Sequence, residues 1–269
     1  MMEKPSNRDN RREFIKKILT AGAGVLLSGG LAEAEEGSPE DILRDKNERE
    51  SATNELFNNI ELAPNIGENF SEKVDYWYNK HMEGGNHRAL KDGWQRMSLD
   101  LVKLIKIFKK EEVPLDIIFL AQVESYWKKD AISHIGAYGY WQFMPETAKE
   151  YGLMNKLDMS NVEKSTRAAC KYLKYLYRCA EMDAKSLGKE ISKSDLWTWA
   201  FWAYNHGQGN VFSVGGKTGH FFDSDGDPNN YFKFCRSEEA TNYAPKIFGV
   251  ARALKEILFK NNEAVKLEK

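Results

Sequence analysis

Apolar residues recur at every third or fourth position along most of this chain, and few stretches alternate between apolar and polar residues. The first spacing is typical of amphipathic helices, whereas alternation would indicate half-buried strands. We therefore predict a mostly α protein. About 235 residues follow the leader segment described below, which is enough for one large hydrophobic core.

One acidic residue interrupts the apolar pattern. In the run 115–125, Ile117, Leu120 and Glu124 fall on one stripe of a helix. Burial on such a stripe would keep the carboxyl protonated near neutral pH, as a general acid requires. Two structural alternatives remain open at this point, namely an ion pair with a Lys or Arg and a side chain that tilts out at the helix end.

Three other segments combine polar groove-forming side chains with glycines or a proline. Segment 136–145 reads Gly-Ala-Tyr-Gly-Tyr-Trp-Gln-Phe-Met-Pro and predicts a turn followed by a helix that begins at Pro145. Segment 203–211, Ala-Tyr-Asn-His-Gly-Gln-Gly-Asn-Val, follows an aromatic run and predicts a helix end that presents polar side chains to a cleft. The last segment is 239–247, Glu-Ala-Thr-Asn-Tyr-Ala-Pro-Lys-Ile. Taken singly, each segment has a structural alternative: a turn before a core helix for the first, and a helix cap and a core tyrosine for the other two.

In this order, the four motifs resemble the catalytic domain of the lytic transglycosylases, in the soluble-lytic-transglycosylase or goose-lysozyme-like superfamily, and most closely its membrane-bound type D. The resemblance covers roughly residues 65–258 and implies a lysozyme-like helical domain. The chain departs from the family pattern at three positions. His206 stands where Ala is common, Gln208 where this type often has Pro, and Ala240 where Thr is usual. These departures concern substrate fit more than chemistry.

The resemblance implies that Glu124 is the single catalytic acid and base. It also implies five substrate-binding positions: Ser125, Gln142, Tyr204, Asn205 and Tyr243. Ser125 would orient the carboxyl or the bound sugar, and Gln142 would contact N-acetyl or hydroxyl groups. Tyr204 and Asn205 would lie beside the scissile bond, while Tyr243 would reach the catalytic carboxyl. We expect no cofactor and no metal ion in this site.

The motifs supply one acid where most glycoside hydrolases need two carboxyl groups. No second acid occurs in the Gly-Trp-Gln or Tyr-Asn segments, and the nearest one, Asp130, follows two lysines in a predicted solvated turn. A substrate that provides its own nucleophile removes that need. The resemblance therefore implies cleavage of peptidoglycan glycan strands between N-acetylmuramic acid and N-acetylglucosamine, with 1,6-anhydro ends. A hydrolytic muramidase on the same fold and an inactive wall-binding module are the alternatives.

The N-terminus predicts export. Arg11 and Arg12 precede a modest apolar stretch at 18–29, and Ala32-Glu33-Ala34 follows it. This arrangement resembles a twin-arginine signal peptide over residues 1–34 and predicts a periplasmic protein. The apolar stretch is shorter than the roughly 20 residues of a spanning helix, so we expect no stable membrane span after cleavage. A basic amphipathic helix at a membrane surface is the alternative.

Composition divides the rest of the chain into an arm, a catalytic domain and a tail. Residues 35–65 predict a polar N-terminal arm, helical or loose, with a helix start near Pro39; residues 66–258 predict the catalytic domain and 259–269 a polar tail. The formal net charge of −1 gives no reason to expect a nucleic acid partner. The sequence does not identify protein partners.

The three cysteines are Cys170, Cys179 and Cys235. The first two are predicted on one continuous helix, too far apart to form a disulfide, while a bridge from either to Cys235 remains open.

Segment 223–227 spaces three aspartates at alternate positions, as calcium loops do, but Phe234 stands where the loop's final Glu belongs. A plain solvated turn is the alternative to calcium binding there.

Overall fold

The computed structural model describes residues 39–214 and 235–267. These residues form helices, and within them the only extended pairings are isolated bridges that join Tyr138 to Ile132 and to Phe143. The predicted mostly α class is therefore confirmed. The leader 1–34 and the candidate calcium segment 223–227 lie outside the described residues.

In chain order, the helices are α1 (Pro39–Asn58), α2 (Glu68–Met82), α3 (Gly84–Ser98), α4 (Leu101–Glu111), α5 (Ile118–Ser125), α6 (Pro145–Glu150), α7 (Lys156–Met159), α8 (Val162–Ser186), α9 (Lys193–His206), α10 (Gln208–Val214) and α11 (Glu238–Leu267). A 3-10 turn, Leu115–Ile117, leads into α5. Within the described ranges, no helix is both long enough and apolar enough to cross a membrane.

The helix boundaries follow local sequence signals. Helix α6 begins with Pro145, as predicted, since a proline in the first turn loses no helical hydrogen bond. Helix α8 begins after Asn161, whose side chain accepts the backbone N–H of Lys164. Helix α9 ends at His206, and the next residue, Gly207, adopts a positive φ of 83° that a glycine tolerates without strain.

The core forms around α5 and α11. Helix α11 packs against α2, α9 and α5, and α8 packs against α9 and α4. The side chains at this centre are large and fully enclosed, and they include Trp141, Trp202, Phe108, Phe119 and Phe201. Because α5 runs through the middle of this arrangement, its last residues are held by the whole core.

Residues before the predicted catalytic domain also enter this core. Helix α1 begins at Pro39, as predicted, and its Leu56 and Phe57 are buried. The segment after it is tied down by Asp116, which accepts the backbone N–H groups of Glu61 at 3.1 Å and Leu62 at 3.2 Å. Burial raises the pKa of Asp116, and these hydrogen bonds oppose that rise.

Cys170, Cys179 and Cys235 are free thiols in this structure. Helix α8 runs without a break through Cys170 and Cys179, as the sequence predicted. The bridge to Cys235 that the sequence left open is not formed.

Candidate active site

Glu124 lies near the end of a buried apolar helix. The residues of α5 before it, from Ile118 to Ala121, are almost fully enclosed. The helix ends at Ser125 because Tyr126 takes a left-handed conformation with φ of 49°. The Glu124 side chain is therefore carried by the core but faces a cleft. The sequence left open an ion pair between Glu124 and a Lys or Arg. Within the described residues, Glu124 forms no such ion pair.

The Glu124 carboxyl accepts a hydrogen bond from the hydroxyl of Tyr243, which lies on α11. The two residues are 119 positions apart in the sequence, and the fold alone brings them together. Tyr243 is itself buried. Burial and the nearby Glu124 charge raise the pKa of Tyr243 well above its ordinary value, so it remains a donor. The contact predicted between Tyr243 and the acid is present.

The site shifts the pKa of Glu124 strongly. Its pKa is raised from 4.5 to about 7 in total, and burial is the largest cause. Within that total, the hydrogen bond from Tyr243 and the positive charge of Lys246 oppose the rise, and the negative charge of Glu239 adds to it. At neutral pH the carboxyl therefore divides between its acid and base forms, which suits a group that gives and then takes a proton.

Two of the predicted substrate-binding side chains support the loop that follows α5. Ser125 is buried, and its hydroxyl donates to the carbonyl of Tyr140 at 2.7 Å. Gln142 has a left-handed φ of 49°, and its Nε2 donates to the carbonyls of Gly139 at 2.8 Å and Ala131 at 3.1 Å. These hydrogen bonds fold the loop back on itself at the edge of the cleft.

Gly139 allows this loop to approach α7. Its φ is 81°, and a Cβ built there would lie 2.7 Å from the carbonyl oxygen of Met159. That separation is closer than real Cβ atoms tolerate, so only glycine fits this turn without a shift of the backbone. The first motif glycine, Gly136, also has a positive φ of 92°, but open space surrounds it.

Helix α9 also contributes side chains to the cleft. The hydroxyl of Tyr204 donates to the carbonyl of Trp141 at 2.8 Å, and burial raises the pKa of this tyrosine well above its ordinary value. The indole of Trp141 in turn donates to Thr166 on α8 at 3.2 Å. The Gly-Tyr-Trp-Gln turn is thereby fixed to two helices. Asn205 follows Tyr204 at the end of α9.

The cleft in front of Glu124 has a volume of about 550 Å³. Five of the six predicted site residues line it: Glu124, Gln142, Tyr204, Asn205 and Tyr243. Ser125 does not line the cleft, because its hydroxyl is hydrogen-bonded to the Tyr140 carbonyl in the loop that follows α5. The three departures from the family pattern, His206, Gln208 and Ala240, do not line it either.

The structure adds residues that the sequence reasoning missed. Trp77 of α2 and Lys246 of α11 line the cleft, as do two further carboxylates, Glu238 and Glu239. Lys246 follows Tyr243 by one helical turn, so helix periodicity could have placed it on the same face. Nothing in the sequence linked Trp77 to these motifs.

Among the described residues, no group of three or more His, Cys, Asp or Glu side chains could hold a metal ion.

Comparisons with known proteins support the resemblance that the motifs indicated. Residues 104–224 match the sequence profile of the family described as the transglycosylase SLT domain. The resemblance inferred from the motifs is confirmed. Over 150 residues, the chain is 27% identical to membrane-bound lytic murein transglycosylase D of Escherichia coli K12, and equally to the protein of that name in Escherichia coli O6:H1.

The similarity is partial in both directions. The aligned region covers 55% of this chain and 29% of each relative, so the chain spans less than a third of the length of those proteins. The SLT match contains Glu124, Gln142, Tyr204 and Asn205 but ends before Tyr243. The hydrogen bond from Tyr243 to the acid is therefore seen in the structure and not covered by this match.

Proposed function

We propose that this chain cleaves the β-1,4 bond between N-acetylmuramic acid and N-acetylglucosamine in peptidoglycan, with Glu124 as its single acid and base. The observation that carries the proposal is a cleft-facing carboxyl whose pKa is raised to about 7 and which is hydrogen-bonded to Tyr243. The similarity to an SLT domain supports the same reaction. An inactive wall-binding module would have no need to keep an acid in this state.

The reaction balances within the substrate and Glu124. The protonated carboxyl gives its proton to the glycosidic oxygen as the bond from C1 to that oxygen breaks, and the electron pair stays on the leaving oxygen. The carboxylate then takes the proton of the C6 hydroxyl of N-acetylmuramic acid as that oxygen bonds to C1. No water is consumed, and Glu124 returns to its acid form.

The other cleft residues would position the sugar chain. Tyr204 and Asn205 would lie beside the scissile bond, and the amide of Gln142 would meet N-acetyl or hydroxyl groups at the loop edge. Ser125 would act through the loop that it anchors, since its hydroxyl is engaged with Tyr140. Tyr243 would keep the proton of Glu124 directed into the cleft.

Hydrolysis is the second candidate because Glu239 also lines the cleft. A muramidase needs a second carboxylate that orients a water molecule toward C1. Glu239 is close enough to raise the pKa of Glu124, which makes it the residue that would fill that role.

Product analysis separates the two reactions. Sacculi digested by the purified protein should yield fragments with 1,6-anhydro ends, about 18 Da lighter than hydrolytic ends because no water is added. Glu124→Gln should give no fragments. Glu239→Gln should keep forming anhydro ends, because the transglycosylase reaction does not require that carboxylate. Reducing N-acetylmuramic acid ends that disappear in Glu239→Gln would instead identify a muramidase.

We further propose that the reaction takes place in the periplasm, after export through the twin-arginine signal at 1–34. The paired residues Arg11 and Arg12 support this proposal. Replacement of both by Lys should leave the precursor in the cytoplasm, because an ammonium group does not reproduce the planar guanidinium. Normal export of the double-Lys protein in cell fractionation would point to another route.

A further inference from the structure

Lys246 is a cation in the cleft that has no ion-pair contact among the described residues. It lies on α11 one turn after Tyr243, the residue that holds Glu124. Its Nζ lies 5.1 Å from the centre of the Trp77 ring. A half-buried ammonium beside an acid usually forms a direct salt bridge, so this arrangement requires an explanation.

The aromatic ring takes the place of a carboxylate partner. A cation over the face of a Trp ring is attracted to its electron-rich surface. Lys80 also stands over the Trp77 ring, with its Nζ 4.6 Å from the ring centre. The indole Nε1 donates to Asn242 at 3.3 Å, which fixes the ring against α11. The position of Lys246 is therefore set by α2 rather than by Glu124.

Several charged and titratable groups lie around Lys246 on the elements packed there. Those that line the cleft are His134 of the loop, Tyr204 of α9, and Glu238, Glu239 and Tyr243 of α11. Lys80 and His81 of α2 interact electrostatically with Lys246, and Lys73 of the same helix donates to Asn242. Lys246 and Glu124 influence each other in opposite directions. Burial lowers the pKa of Lys246, and the Glu124 charge opposes that shift. Burial raises the pKa of Glu124, and the Lys246 charge opposes that rise.

We propose that Lys246 is a positioning residue that supplies the counter-charge for Glu124 once Glu124 has released its proton. The inference rests on the proposed function, because only a group that serves as acid and then as base passes through both forms in one cycle. A carboxylate created in a desolvated site is costly unless an opposite charge lies nearby.

The separation between the two side chains is what makes such a role useful. A direct salt bridge would hold Glu124 ionised and remove its proton before catalysis. A cation held on Trp77 instead leaves burial as the larger influence on Glu124 and still reduces the cost of its ionised form. Both halves of the cycle then remain accessible near neutral pH.

The pH dependence of glycan cleavage tests the proposal. The rate on sacculi should fall above about pH 7 because the acid form of Glu124 is lost. Lys246→Met should move this fall to higher pH by about half a pH unit, the order expected for one charge across a solvent-lined cleft. Lys246→Arg should leave it in place. Glu239→Gln should move it to lower pH, because it removes a negative charge.

A merely structural lysine would give a different result. Its loss would reduce the rate at every pH and leave the position of the fall unchanged. That outcome, or a shift to lower pH in Lys246→Met, would overturn the proposal. Lys246→Gln makes the same test if the Met variant does not fold.

A second measurement works without any cleavage. Nuclear magnetic resonance of protein labelled at the glutamate side-chain carboxyl carbons reports the titration of Glu124, assigned by the signal missing in Glu124→Gln. The midpoint should rise in Lys246→Met. If wild-type protein leaves sacculi intact, the proposed function fails while this titration still decides the role of Lys246. An unchanged midpoint would exclude Lys246 as the counter-charge.

Discussion

At the scale of single residues, the raised pKa of Glu124 costs the folded protein stability at neutral and higher pH. Its pKa is about 7 in the fold, against an ordinary value of 4.5. Below the lower value the carboxyl is protonated in both states, so there is no cost. As the pH rises, the unfolded chain ionises first, and the folded state loses stability until the pH passes about 7.

Glu124→Gln should therefore gain stability while losing activity. At about 1.4 kcal/mol for each pKa unit, the free energy of unfolding should rise by about 3 kcal/mol at pH 8 and stay unchanged at pH 4. Urea unfolding at both pH values measures this difference. Glu150→Gln, the same change at an exposed position on α6, is the matched control and should show neither effect. An equal stability of Glu124→Gln and wild type at pH 8 would contradict the raised pKa.

At this scale, the sequence predicted the acid but not all of its surroundings. Helix periodicity placed Glu124 on the apolar stripe of α5 because burial and periodicity are local properties. The electrostatic partners are not local. Trp77 and Lys246 enter the cleft of the acid from α2 and α11, and only the packing of those helices brings them there. Tyr243 was anticipated from the family resemblance and not from spacing.

At the scale of elements, Gly136 and Gly139 have different roles in the loop before α6. Both have positive φ values, which cost alanine conformational energy wherever they occur. Only Gly139 also lies against backbone, at the end of α7. The sequence indicated a turn here, but it could not show which glycine meets a neighbour, because α7 lies outside the motif.

Gly139→Ala should destabilise the protein more than Gly136→Ala. The extra cost should be about 1–3 kcal/mol, since the added methyl group would overlap the carbonyl oxygen of Met159 and the backbone must move. Urea unfolding of the two variants isolates this contact, because each carries the same alanine at a positive φ. Glycan cleavage should fall further in Gly139→Ala, as this loop carries Gln142 into the cleft. Equal losses in the two variants would show that the backbone conformation alone matters.

At the scale of the whole molecule, α1 is part of the core that supports the acid. The ring of Phe57 lies 5.6 Å from Trp94 of α3, 5.7 Å from Phe119 of α5 and 5.5 Å from Phe259 of α11. Polar composition predicted an arm over residues 35–65, and most side chains in the first half of α1 are indeed exposed. A few apolar residues in a charged helix are a weak signal, so the sequence alone did not reveal that this helix is packed.

Phe57→Ala should lower the free energy of unfolding by about 3–5 kcal/mol, because it leaves a cavity between three helices of the core. Leu43→Ala is the matched control on the same helix. Leu43 is 58% exposed, and its truncation should change stability by no more than about 0.5 kcal/mol. Because Phe119 belongs to the helix that carries Glu124, Phe57→Ala should also lose cleavage activity at a lower temperature than Leu43→Ala. If the two variants unfold at the same urea concentration, α1 contributes nothing to the support of the site, and the arm is dispensable to the fold.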